Sequence, residues 1–227
     1  MKKFLLRLTS LVFLLFSLVC FSACTEIQGL ALDTESGYYC KVKVVNSDGK
    51  RETNEIIVEQ FKNILRTKGY ENTKVKWLDE DIEIKILGDD LIESEVYENL
   101  LELCKNEPLT FRAFDNTILL RGETCVEDAR AGYAPEGNAI VVLQFTQNGQ
   151  ETFATATEKV SASEDKILNI YMGDSLMCSP TVNEKIYSSQ AQIAYFSSID
   201  EADYIAAKIL LSIHYVEVEI EEFVKVD

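Results

Sequence analysis

The stretch Tyr215–Val226 opens with unbroken alternation, with Val216, Val218 and Ile220 on one side and Glu217, Glu219 and Glu221 on the other. That period fits a β-strand with one face against a core and one in water, and no helix can use it. The same pattern opens the chain's globular part, where Val42 and Val44 are spaced by lysines in a strand expected over Cys40–Val45. Val75–Leu78 and Ile82–Ile86 form a hairpin across an acidic turn at Asp79, Glu80 and Asp81. Between these strands the spacing changes to that of a helix. Ile56, Ile57, Phe61, Ile64 and Leu65 predict one that stops at Gly69, and Ile92, Val96, Leu100 and Leu103 predict another that ends before Pro108. A third is expected over Ile199–Leu211, with Ser198 as N-cap and Glu201 completing a capping box. Hairpins mixed with amphipathic helices, without a regular βαβ repeat, indicate the α+β class.

The middle of the chain extends that pattern. Leu109–Phe114 and Ile118–Leu120 flank a turn at Asp115 and Asn116, and Ile167–Met172 and Ser175–Cys178 flank one at Gly173 and Asp174. Ala139–Phe145 is nearly continuous in apolar residues, as expected of a central strand, and Ile193–Phe196 is a further strand. A helix is expected from about Gln147 to Val160, and Val126–Pro135 is expected to be a loop or a short helix.

Composition narrows the function classes. The net charge of −16 is spread along the 227 residues, so the surface repels nucleic acid and anionic lipid headgroups, and no nucleic-acid partner is expected. At the N-terminus Lys2, Lys3 and Arg7 precede an apolar run from Leu8 to Ala23, which reads as an export signal or anchor over residues 1–24. The run closes in Phe21-Ser22-Ala23-Cys24, similar to the lipobox of bacterial lipoproteins except at Phe21, which makes Cys24 a lipidation candidate. An uncleaved helical anchor is the other reading. Both place the rest of the chain outside the cytoplasm and attached to the membrane, with residues 25–39 as a tether. Cys40, Cys104, Cys125 and Cys178 have no zinc-ligand spacing; disulfides and small buried hydrophobes both fit them.

Catalytic constellations are not found, and no enzyme, metal or cofactor is expected. His214 has no serine or cysteine motif to serve. Asp79–Asp81, Asp89-Asp90, Glu164-Asp165 and Glu221-Glu222 sit at turns or element ends and lack EF-hand spacing. Gly122, Gly132, Gly137 and Gly149 do not form a phosphate cradle. Tyr133, Phe145, Phe153, Tyr171, Tyr195 and Phe196 mostly follow core periodicity, with an exposed subset able to line a peptide groove.

The series DARAGYAPEGNAIVVLQFTQNGQETFATATEKV from Asp128, ILNIYMGDSLMCSPTVNEKI from Ile167 and QAQIAYFSSIDEADYIAA from Gln190 closely resembles the P1 region of SecD, a membrane subunit assisting the Sec export channel. The resemblance implies a ferredoxin-like base built from residues 40–108 and 197–227, with an inserted α+β head over residues 109–196. It further implies binding of translocating or unfolded polypeptide, and Sec translocon components as partners. The chain is expected to be a stand-alone, truncated form without the family's proton pathway. A binding or structural lipoprotein that reuses the fold for another ligand is the alternative.

Overall fold

The computed structural model describes residues 36–46, 51–214 and 217–226; the export segment, Cys24, Tyr215 and Val216 lie outside the described residues. The chain runs β1 (Gly37–Asn46), α1 (Arg51–Thr67), β2 (Thr73–Leu78), β3 (Asp81–Leu87) and α2 (Glu93–Cys104). It continues with β4 (Leu109–Ala113), β5 (Ile118–Arg121), the short α3 (Gly122–Cys125), β6 (Val126–Tyr133), β7 (Ala139–Phe145) and α4 (Gln147–Ser161). It closes with β8 (Leu168–Met172), β9 (Ser175–Cys178), β10 (Gln190–Phe196), α5 (Ile199–Ile213) and β11 (Glu217–Val226). The α+β class is what the strand and helix periodicities demand.

The first sheet has the order β11-β1-β3-β2, with antiparallel neighbours throughout. The strand order and the α1 crossover make this a split βαβ, the ferredoxin-like arrangement, with β3 inserted between β1 and β2. Alternation sends Tyr38, Cys40 and Val42 of β1 and Ile82, Ile84 and Ile86 of β3 into one core. Ile57, Phe61, Ile64 and Leu65 of α1 and Val96, Leu100 and Leu103 of α2 close that core from one side. Gly69 ends α1 with φ of 90°, while the Tyr70 amide bonds back to the Leu65 carbonyl. In β11, Val218 and Ile220 pack on the core and Glu217, Glu219 and Glu221 are exposed, as their alternation requires. A bulge opposite Lys41 and Val42 then brings Phe223 inward, where it stacks on Tyr38.

A second core lies between a sheet ordered β5-β4-β8-β9 and another ordered β10-β7-β6. Phe111, Phe145 and Phe153 meet at its centre, with ring centroids 4.8 to 6.4 Å apart. Gly149 lets α4 approach closely, since a Cβ there would stand 1.9 Å from the Cys125 carbonyl oxygen. The helix α5 serves both cores. Ala202, Ala206 and Ile209 belong to the second, Ala207 and Leu211 to the first.

Three local expectations are revised. Val126–Pro135 is neither loop nor helix: Val126–Tyr133 is strand β6, paired along its length with β7. Its Asp, Arg and Gly residues favour strands poorly, but Ala129 and Ala131 leave room for α5 to pack against it, so tertiary contact overrides propensity. Ile92 is not a core residue of α2; it occupies the extended N-cap position and is 61% exposed. β1 begins at Gly37, ahead of Cys40, because Tyr38 already continues the inward face.

Candidate functional site

β4 starts beside the chain crossing between the two cores and runs away from it. At its near end the Gly173 amide donates to the Pro108 carbonyl; at its far end Ala113 faces Leu168. Four residues of strand advance correspond to roughly 13 Å. The far end carries Phe114, 61% exposed, and Ile118, 39% exposed, on a turn shaped by Asp115. The Asp115 carboxylate accepts from the Thr117 amide, and Thr117 and then Lys159 hold its carboxyl below the usual range. Asn116 supplies the turn with φ of 65°, as the Asp-Asn pair predicts.

The segment after β9 reaches the same end. Thr181 bridges to Ile167, and the Val182 amide donates to the Lys166 carbonyl. From there the chain is fastened to α4: the Ile186 amide donates to the fully buried Thr157 hydroxyl, and Lys185 pairs with Glu158 at 2.9 Å. This anchoring leaves Ile186 and Tyr187 facing solvent, Tyr187 at 66% exposure. Two exposed apolar pairs therefore stand on segments fixed by hydrogen bonds: Phe114 and Ile118 at the β4–β5 turn, and Ile186 and Tyr187 where the chain is fastened to α4. An open groove of about 330 Å³ runs between β5 and α4, lined by Leu119, Thr152, Thr155, Ala156 and Lys159 among others, on the face of α4 turned away from Thr157 and Ile186.

The crossing itself is bound by a polar cluster. Lys208 of α5, 2% exposed, donates to the Glu102 carbonyl at 3.0 Å and the Lys105 carbonyl at 2.8 Å, and pairs with Glu107 at 3.2 Å. It thereby satisfies carbonyls at the C-terminus of α2, where a cation also suits the helix dipole. Burial pushes the Lys208 ammonium below its ordinary pKa against the pull of Glu107. The Glu102 carboxylate accepts from Tyr204 and Lys68, which keep its carboxyl below the usual range. Cys104 lies at this cluster, and burial raises its thiol and that of Cys40 to about 12, so both are protonated and unreactive at neutral pH.

The residues singled out from sequence do not assemble a catalytic site. His214 caps the C-terminus of α5. Asp81 and Glu221 flank Lys41 at 2.9 and 2.7 Å, Asp89 accepts from Ser36, and Glu164 and Asp165 sit in the turn after α4. Gly122 packs on Leu109 and Gly149 on Cys125, far from any cradle role. Of the aromatics, Phe145 and Phe153 are core, Phe196 packs against it, Tyr171 is half-buried and Tyr133 is exposed; Tyr195's side chain lies outside those described. Phe114, Ile186 and Tyr187 were not singled out from sequence, because an apolar residue next to a turn does not reveal its facing.

The family model for the SecDF P1 head subdomain matches residues 95–211, just over half of the chain. The chain belongs to that family. The matched span takes in most of α2, both sheets of the second core and most of α5. Protein translocase subunit SecD of Acidaminococcus fermentans is 29% identical over 104 residues, which are 46% of this chain and 24% of that protein. The chain thus matches about a quarter of its curated relative's length. Among solved structures, SecDF in its super-membrane-facing form aligns with a TM-score of 0.57 at 20% identity, over 99% of this chain and 35% of the other. A structure described as a membrane component SecDF that enhances protein export aligns at 0.51 and 18%, over 81% of this chain and 98% of that one. At these identities the two structures show a shared fold.

Proposed function

We propose that this chain is a membrane-tethered, extracytoplasmic SecD P1-type module that binds translocating or unfolded polypeptide and assists Sec-dependent export as a binder, without a proton pathway of its own. Residues 37–108 and 197–227 serve as the base, which takes in the three β1 residues ahead of the expected boundary at 40, and residues 109–196 serve as the head. The observation that carries this reading is the exposure of four large apolar side chains, Phe114, Ile118, Ile186 and Tyr187, on hydrogen-bonded segments of a SecDF P1 head module. Unfolded chain offers apolar side chains in irregular order, and exposed apolar side chains on a shallow surface tolerate that irregularity. Weak affinity follows, since an unfolded ligand loses conformational entropy when it is ordered. Tethering falls to the apolar run before Cys24, by acylation of that cysteine or by an uncleaved helix.

The test titrates the purified full chain in detergent into labelled unfolded secretory polypeptide. Binding in the micromolar range, lost in the double variant Phe114→Ser, Tyr187→Ser at unchanged melting temperature, supports the reading. No detectable binding up to high micromolar concentration, or binding indifferent to those substitutions, refutes it. Recovery of Sec components with the wild-type chain from membranes separates an export role from a lipoprotein devoted to another ligand. Labelled-palmitate incorporation lost in Cys24→Ala identifies acylation.

A further inference from the structure

The β5-β4-β8-β9 sheet has a second face, opposite the core. Leu109, Phe111, Leu168, Ile170 and Met172 point into the second core, so alternation places Thr110 and Arg112 of β4 and Asn169 and Tyr171 of β8 on the other side. The register sets Thr110 opposite Tyr171 and Tyr171 opposite Leu176, and Arg112 opposite Asn169. Arg112 is held in place from three directions. Its guanidinium carbon lies 4.2 Å from the Tyr171 ring centroid, Nε donates to the Thr110 hydroxyl at 2.9 Å, and Nη2 donates to the Gly173 carbonyl at 3.1 Å.

All three partners are neutral, and among the described residues no carboxylate forms an ion pair with Arg112. Nε–H and one Nη2–H are engaged along one edge of the fork, which leaves the end-on edge, with an Nη1–H and the second Nη2–H, for a bidentate acceptor. A guanidinium already fixed by stacking and two hydrogen bonds loses little side-chain entropy on binding such an acceptor. Apolar surface adjoins it: Leu176, 52% exposed, stands opposite Tyr171, whose ring the guanidinium covers. Thr110 and Asn169 are buried on this side, which leaves Arg112, Tyr171 and Leu176 as its accessible part. We propose that Arg112 anchors a carboxylate of a bound polypeptide, an Asp or Glu side chain set between apolar residues, laid beside Tyr171 and Leu176. The inference rests on the polypeptide-binding reading above and adds a preference to it.

The chain's charge of −16 sets a limit on that preference. Charges beyond the Debye length of about 8 Å are screened at physiological salt, so one carboxylate on Arg112 gains locally while a run of acids meets repulsion from the surrounding surface. A single acid among apolar residues is therefore favoured over an acidic tract.

The experiment uses the full chain and four labelled extended peptides: one with a single central Glu between apolar residues, its Gln counterpart, one with a run of Glu, and one whose only carboxylate is its C-terminus. The expected result is about tenfold tighter binding of the Glu peptide than of the Gln peptide, a value on the scale of a charge-assisted bond. That difference should vanish in Arg112→Gln and return in part in Arg112→Lys, and the acidic run should bind no better than Gln. Because the first comparison changes only the peptide, it stands even if a variant folds poorly. Equal affinity for the Glu and Gln peptides, or discrimination that persists in Arg112→Gln, overturns the inference while leaving general polypeptide binding intact. Preference for the C-terminal carboxylate alone overturns the side-chain assignment. Failure of all four peptides to bind removes both this inference and the reading beneath it.

Discussion

Lys208→Met tests whether the crossing between the two cores is fastened as the geometry indicates. The substitution retains an apolar stem of similar length and removes the ammonium that reaches the Glu102 and Lys105 carbonyls and Glu107. Hydrogen bonds involving a charged group contribute about 1.5–3 kcal/mol each, and a buried group left without its partner adds its desolvation cost. Against this, the variant no longer buries a charge, a relief that offsets part of the loss. Glu107 is one-third exposed and can turn to water, so its own loss is small. The balance is a destabilisation of about 2–4 kcal/mol. For a chain of this length each kcal/mol moves the melting temperature by about 2–4 °C, so the expected fall is roughly 4–16 °C. Glu107→Gln should cost less, about 1 kcal/mol, because the one-third exposed carboxylate is partly screened by water and Lys208 keeps both of its carbonyl bonds. Differential scanning calorimetry of the wild type, both single variants and the double variant measures the coupling directly. A Lys208→Met protein that melts within 2 °C of wild type would refute the assignment of the cluster as a fastening, and would show that desolvation cancels its bonds.

Gly149→Ala should destabilise the chain by about 1–3 kcal/mol, because the added methyl collides with the Cys125 carbonyl, although Ala exceeds Gly in helix propensity by about 1 kcal/mol; a urea midpoint at or above that of wild type would contradict it. Glu102 gives a pH dependence. Tyr204 and Lys68 lower its folded pKa, so its contribution is present above the ordinary value of 4.5 and is lost as pH falls through the lower folded value. The stability advantage of wild type over Glu102→Gln should therefore stand at pH 7 and shrink at pH 3, as read from denaturant midpoints; an advantage that grows on acidification would reverse the sign.

Local pattern made much of this fold legible. The alternation through Ile220, the glycine after α1 and the turns at Asn116 and Gly173 are each fixed by residues within a few positions, and each appears where expected. β6 was not legible, because its small and charged residues suit α5, which lies some seventy residues further on. Lys208 was hidden for a related reason. In an amphipathic helix a lysine reads as solvent-facing, and only the carbonyls at the end of α2 make its burial favourable; the apolar company of Ala206, Ala207, Ile209 and Leu210 was the available hint. The exposure of Phe114 and Tyr187 depends on which side of a sheet a loop leaves, and that is decided by tertiary register rather than by sequence neighbours.

The pairing of β1 with β11 also has a kinetic side. Val42 meets Ile220 across nearly the full span of the described chain, one of the most distant pairings the sequence allows. Loop-closure entropy makes such a contact slow to form, and a chain emerging from the ribosome must complete almost all its other elements first. Until then β1 has β3 on one side and open backbone donors and acceptors on the other, a template for any extended chain nearby. Lys41 and Lys43 on that strand place charge along the waiting edge, which discourages mispairing during biogenesis while still permitting the glutamate-rich β11 to dock.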